Sequence, residues 1–428
     1  MKQKIGLLPW LVWLCGALFF LFDYIVRVSP SVLTPTLMAE FHTNAFAIGA
    51  FSGFFYYAYI CMQIPVGILV DRFGPKRLLV ASTAICALST LLFSGMHSLT
   101  MGYASRVLLG FGASFALVGT WKLTSLWFDS RKFALLAGTA QAMGMLGAMI
   151  GQGPMATVYQ SIGWREAMDG VAFVFVLLCL FFIFVVKDVN PKITHADIDM
   201  TQKIKIIPSL KKIMKNKQAW LNCLFVGLLY APSACFGEQW GASYLASTLH
   251  VPMNEAGHAT GIMFIGLAIG CPVLGFISDR MQARLPVMRT SILACLVLLS
   301  LIIYGAHLPL ALSHLLSLHV ITALLFVYGF FNAGIVISYA MAAELNPRKL
   351  TGIAMGFSNM ASVIVGAIMI PIVGYVLDLL WTGTLQNGAR VFSPSDYQTA
   401  FIALPILFII GYAVTFFIKE TQCQYQCD

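Results

Sequence analysis

Twelve stretches of this chain are apolar for long enough to cross a lipid bilayer, and that repetition decides what it can fold into. They lie near residues 8–35, 45–70, 78–97, 100–122, 133–157, 164–187, 218–247, 256–277, 287–308, 315–342, 351–379 and 398–418. A spanning helix needs roughly 20 apolar residues at a rise of about 1.5 Å each. With 59% of its 428 residues hydrophobic and only 10% charged, the chain cannot turn most of its surface to water. The expectation is an all-α polytopic membrane protein. The run after "MKQK" continues far beyond a signal-peptide core and shows no small-residue cleavage site before Asp23, so it reads as an uncleaved first span.

The net charge of +9 suggests nucleic acid until its distribution is followed. With the N-terminus inside, the basic residues collect at inside ends and loops, eight lysines among them between residues 187 and 217. Only Arg27, Arg106, Arg165 and Arg390 of the 26 Lys and Arg residues fall elsewhere. This is the positive-inside pattern, which places both termini in the cytoplasm and favours contact with anionic lipid over nucleic acid. A polar stretch, 188–217, divides the spans six and six, and its "SLKKIMKNKQAW" end suits an amphipathic surface helix. The domain reading is 1–187, a six-helix bundle; 188–217, a cytoplasmic linker; and 218–428, a second bundle. Eight of the ten cysteines lie in spans, where a thiol behaves as a small hydrophobe, and no metal-ligand cluster is present in the sequence.

The two halves share their punctuation. "GILVDRFGPKR" (67–77) follows span 2 and "GFISDRMQAR" (275–284) follows span 8, so Gly67, Asp71 and Arg72 recur as Gly275, Asp279 and Arg280 at an offset of 208. "RKFALLAG" before span 5 recurs as "RKLTGIAMG" before span 11. At these residues the sequence resembles the major facilitator superfamily. The 67–77 stretch matches its loop 2–3 signature, G-x-L-x-D-R-x-G-x-K-R, at every fixed place. "RVLLGFGA" (106–113) resembles its span-4 signature, with Leu109 in place of the usual Gln, and span 5 carries a comparable run of glycines. The resemblance implies twelve helices in two pseudo-symmetric bundles around a central cavity lined by spans 1, 4, 7 and 10. It also implies a conformational latch, closed in the outward-open state, formed by Gly67, Asp71, Arg72, Gly74, Lys76 and Arg77 with Asp279 and Arg280 as the degenerate copy. A carboxylate such as Asp71 at the inside end of span 2 can face the positively polarised start of span 11. The plain alternative for these charges is a topogenic cluster.

Charges within the spans carry the functional reading. "FFLFDYIVRVSPSV" (19–32) sets Asp23 and Arg27 one helical turn apart near mid-membrane, where an ionised group costs at least ~2.5–3.5 kcal/mol. Either they form a self-neutralising pair, or they face the cavity, with Arg106 of span 4 as Asp23's second partner. Span 7 supplies Glu238, Gln239 and Trp240 beyond Pro232 and Gly237, residues able to interrupt the helix and free backbone groups for a ligand. Glu238 is otherwise an acid near the outer interface. Tyr328, Asn332 and Tyr339 of span 10 and Asn359 of span 11 are further cavity candidates, each also suited to an ordinary helix–helix hydrogen bond. The expected substrate contacts are Arg27, Arg106, Glu238, Trp240, Tyr328, Asn332 and Asn359. The expected proton carriers are Asp23 and Glu238, since no histidine falls at mid-membrane.

No phosphate loop or nucleophile elbow appears, so neither ATP-driven transport nor an enzyme is expected. Within the superfamily the chain resembles the anion:cation symporters and the phagosomal amino-acid and nucleoside transporters of intracellular bacteria. The expectation is proton-coupled uptake of a small carboxylate-bearing solute, first an amino acid or small peptide, with organic-anion symport as the alternative and a sensor or intramembrane enzyme as remote ones. A zwitterion would set its carboxylate on Arg27 and its ammonium on Glu238. The expected setting is a bacterial inner membrane, a functional monomer, and a proton gradient in place of any cofactor.

Overall fold

The computed structural model describes residues 7–128, 130–186, 206–305, 317–347 and 350–426, without the side chains of residues 71, 130, 131, 134, 206, 207 and 209. The first six crossings are single helices: Leu7–Glu40, Ala45–Phe73, Pro75–Ser94, Leu99–Trp127, Ser130–Ile162 and Trp164–Phe184. A short amphipathic helix, Ile206–Met214, follows and seats Ile213 against Leu350, Ala354 and Phe357 of span 11. Span 7 is broken, running as Lys217–Cys235, a π-helical turn Phe236–Trp240, and Gly241–Leu249. Spans 8 and 9 are Met253–Met281 and Leu285–Tyr304. Span 10 is Leu318–Asn332 with Ile335–Glu344, span 11 is Thr351–Leu380, and span 12 is Pro394–Ala400 with Ala403–Val414. A two-stranded hairpin, Leu385–Gln386 with Ala389–Arg390, joins spans 11 and 12. Among the described residues eleven crossings are apolar and long enough to span a membrane by composition alone. The twelfth, Ser130–Ile162, is diluted by its glycines and glutamines.

Local chemistry sets the helix ends. Asn44 and Ser98 cap spans 2 and 4 by accepting from the amides of Ala47 and Met101. Gly74 sits at φ 81°, a backbone state costly for any other residue, and Pro75 opens span 3 directly after it. The Gly-Pro of the loop 2–3 signature is therefore a turn requirement.

Small residues let the helices meet. A Cβ on Gly147 would lie 3.0 Å from Leu21 Cα, so span 5 runs against the backbone of span 1. Gly110 faces the Phe55 carbonyl of span 2, and Gly270 of span 8 faces the Phe330 carbonyl of span 10, the same device in each half.

The halves meet unequally at the two faces. Call the face holding the ends of spans 2 and 8 and the starts of spans 5 and 11 the basic face. There Gly67, Gly138, Gly275 and Gly352 have no atom within 4 Å of where a Cβ would stand. At the far face a Cβ on Gly49 would lie 2.8 Å from Pro371, and one on Gly257 would lie 2.7 Å from the Gln152 carbonyl. In this state the halves are in backbone contact at the far face, while those four glycines of the basic face have open space at Cβ.

The latch residues follow from that state. Asp71 lies at the end of span 2, and its side chain is outside those described. Arg72, Arg77 and Arg280 are exposed, with Arg72 over the Phe73 ring. Asp279 pairs with Arg284 at 2.7 Å inside its own half, and Arg284 also holds Glu344. The expected linker 188–217 lies largely outside the described residues.

Candidate functional site

Span 1 buries both of its charges, but not against each other. Arg27 reaches across the interface to span 7, donating from Nε to Glu238 Oε2 at 3.0 Å and from Nη2 to Oε1 at 3.3 Å. Its Nη2 also donates to Tyr230 Oη at 2.7 Å. The hydroxyls of Tyr56 and Tyr230 both donate to the same carboxylate. The Arg27 and Glu238 side chains are 4% and 3% exposed, so the pair is screened little by solvent. Four aromatic rings surround the guanidinium, Tyr24 at 4.6 Å, Tyr56 at 5.0 Å, Phe55 at 5.4 Å and Tyr59 at 5.9 Å. Glu238 is thus fully satisfied by an arginine fork and two phenols.

The expected Asp23–Arg27 pair is not made. Asp23 is buried, and its Oδ1 has no hydrogen-bond partner. The i, i+4 spacing does put the two on one side of the helix, but the Glu238 carboxylate and the Tyr230 hydroxyl oxygen across the interface accept from the longer arginine and draw it away.

Arg106 also departs from expectation. Its Nη1 donates to the Val26 carbonyl at 2.8 Å and its Nη2 to the Arg27 carbonyl at 2.7 Å. Pro30 has no N–H to give Val26, whose carbonyl accepts instead from Arg106 and from the Ser29 hydroxyl. Arg106 clips span 4 to span 1 through its two terminal nitrogens, and its buried Nε has no hydrogen-bond partner.

Other candidates divide likewise. Trp240 is fully buried, with its indole N–H on the Ile370 carbonyl at 3.0 Å. Tyr328 shares a hydrogen bond with Ser233 at 2.7 Å, and Asn332 donates to the Leu229 carbonyl at 3.1 Å. In this state these three are packing within the second half, although Asn332 borders a small cavity beside Glu238. Asn359 lies toward the basic face. It donates to Gln63 of span 2 at 2.7 Å and accepts from Tyr339 at 2.9 Å, bridging the halves below Arg27.

The π-turn explains why span 7 can hold this site. A π-turn inserts a residue and re-aims side chains, and such turns gather at functional sites. All of residues 237–239 bond the opposite half. Gln152 of span 5 donates to the Gly237 carbonyl at 2.7 Å, Glu238 takes Arg27, and Gln239 accepts from Ser52 and donates to Thr34 at 3.1 Å. Together they roof the site on its far side.

Sequence reasoning missed Tyr56, Tyr230, Gln63 and Gln152. The signal for span 2 was present, because Ser52, Tyr56, Tyr59 and Gln63 form a polar stripe at helical spacing on an otherwise oily helix. Tyr230 and Gln152 carry no such local mark. The cavity beside Glu238 is lined by Tyr24, Tyr230, Ser233, Met263 and Asn332 among others and measures about 20 Å³, room for about one water.

The family model described as Major Facilitator Superfamily matches residues 12–240 and 240–422. The chain is 25% identical over 295 residues to the probable sulfoacetate transporter SauU of Cupriavidus necator, covering 66% of this chain and 68% of that one. It is 22% identical over 413 residues to the probable galactarate/D-glucarate transporter GudP of Escherichia coli, covering 89% of each. A bacterial homolog of the human lysosomal transporter Spinster, solved in an inward-facing and occupied conformation, is similar with a TM-score of 0.77. It is 14% identical, with 97% of each chain covered.

Proposed function

The chain belongs to the major facilitator superfamily, and on that premise we propose that it is a secondary active transporter for a small organic anion whose carboxylate sits on Arg27. One observation carries the reading: Arg27, Tyr56 and Tyr230 form a complete carboxylate seat, occupied here by Glu238. The adjoining cavity holds about one water, so an organic acid that takes this seat displaces Glu238 from it. A planar guanidinium holds either carboxylate through the same two-pronged geometry. The relatives named for sulfoacetate and for galactarate and glucarate support an acid of this kind.

The zwitterion reading needs Glu238 free for an ammonium. Here both its oxygens are engaged by Arg27 and the two tyrosines, which favours a simple organic acid over an amino acid or peptide.

Protons enter through the two acids. Asp23 is buried with an unpartnered Oδ1, and we assign it to proton coupling on that ground. A proton on Glu238 weakens its hold on Arg27 and frees the seat. On this reading the basic face is the cytoplasmic one, with both termini there.

Proteoliposome uptake tests this. Labelled sulfoacetate, aldarates, aldonates, amino acids and dipeptides are offered under an inward proton gradient. Accumulation of an organic acid, abolished by a protonophore, is expected. Asp23→Asn should keep exchange of the same acid while losing uphill accumulation. Accumulation of amino acids alone would overturn the substrate class.

A further inference from the structure

The far-face ends of spans 2 and 11 carry a second charged contact. Four backbone amides at the start of a helix have no partner within it. In span 2 the Ala47 and Ile48 amides are met by Asn44, through its side chain at 2.9 Å and its carbonyl at 3.3 Å. The other two are met from the opposite half. Asp378, two residues before the end of span 11, accepts from the Ala45 amide at 2.9 Å and the Phe46 amide at 2.7 Å. Arg390 of the far-face hairpin holds the same carboxylate at 3.1 Å, its guanidinium 4.1 Å from the Trp381 ring. The Asp378 side chain is 12% exposed, which limits screening by salt. A Cβ on Gly374 would lie 2.8 Å from the Ala45 carbonyl carbon, so the backbones touch there.

We infer that Asp378 is a far-face clasp that holds the two halves in the state seen here. It inverts the arrangement expected at the basic face, where span 2 ends on Asp71 and span 11 begins. In each case the carboxylate at the end of one helix meets the positively polarised start of the other. The same two helices therefore carry a clasp at each end with their roles exchanged, and rocking one half on the other opens one clasp as it closes the other. Parting the far face strips Asp378 from two amides and leaves it with Arg390 and water. This inference rests on movement of the halves and not on which solute is carried.

Spin labels at His97 and Glu255, exposed far-face positions of the two halves, report their separation in the full-length protein without solute. Asp378→Asn should raise the ratio of far-open to far-closed molecules by roughly three- to thirtyfold, the range for a carboxylate on a helix start. Arg390→Gln, which leaves the two amide contacts in place, should move it the same way by less. A wild-type distance distribution in Asp378→Asn would overturn the clasp. If that variant is not monodisperse, Arg390→Gln decides alone: a shift toward far-open supports the clasp, and an unchanged distribution overturns it. Because no solute is present, failure to transport organic acids leaves this outcome untouched.

Discussion

On the proposed reading, Arg27 is one side chain on which two partners compete: seated on Glu238 it ties the halves together, and seated on a solute it binds. Arg27→Lys keeps the charge but loses the fork, and a hydrogen bond to a charged group contributes about 1.5–3 kcal/mol. Affinity for the transported acid should fall by about 10- to 100-fold, measured by concentration-dependent counterflow, while the variant stays monodisperse in detergent. Wild-type affinity would leave the arginine as a mere tie between the halves. At this scale the sequence made Asp23, Arg27 and Glu238 legible, because ionisable groups in an oily run are conspicuous. Their pairing was not legible. Arg27 and Glu238 are 211 positions apart, and local spacing offered only the nearer acid. Arg106 was misread for a related reason: a buried guanidinium looks like a ligand site until Pro30 is seen to orphan a carbonyl beside it.

The elements were read more fully than their contacts. Hydropathy located the crossings, because a bilayer demands length and oiliness of every helix. The break in span 7 was expected from Pro232 and Gly237, but its π geometry depends on bonds from Gln152, Ser52 and Arg27 that no local pattern encodes. Span 5 gives a test of packing. Gly147 stands against the backbone of span 1, where a Cβ would approach Leu21 Cα to 3.0 Å, whereas Gly138 faces open space. Gly147→Ala should destabilise by about 1–3 kcal/mol through overpacking. Gly138→Ala should be neutral or slightly stabilising, since alanine is the better helix former by about 1 kcal/mol. Melting temperatures of the two variants in one detergent make the comparison, and an equal fall in both would refute the assigned packing.

For the whole molecule, the central bond is also a bond between halves. Arg27–Glu238 sits under the roof made by residues 237–239, so a solute that displaces Glu238 both binds and loosens the far-face closure. Binding and rocking are then one event, as alternating access requires of a mobile carrier. On the proposed reading, proton and solute favour each other by the same route, with a coupling typically worth about 1–3 kcal/mol, or 5- to 150-fold in affinity. The sequence repeat announced the two halves, but which end was shut was not in it, because one sequence serves both states. The most direct measurement is a calorimetric titration of purified wild-type and Glu238→Gln protein with the transported acid. The account predicts that Glu238→Gln binds at least about fivefold more tightly, because the resident carboxylate no longer competes for Arg27. Equal or weaker binding would contradict it.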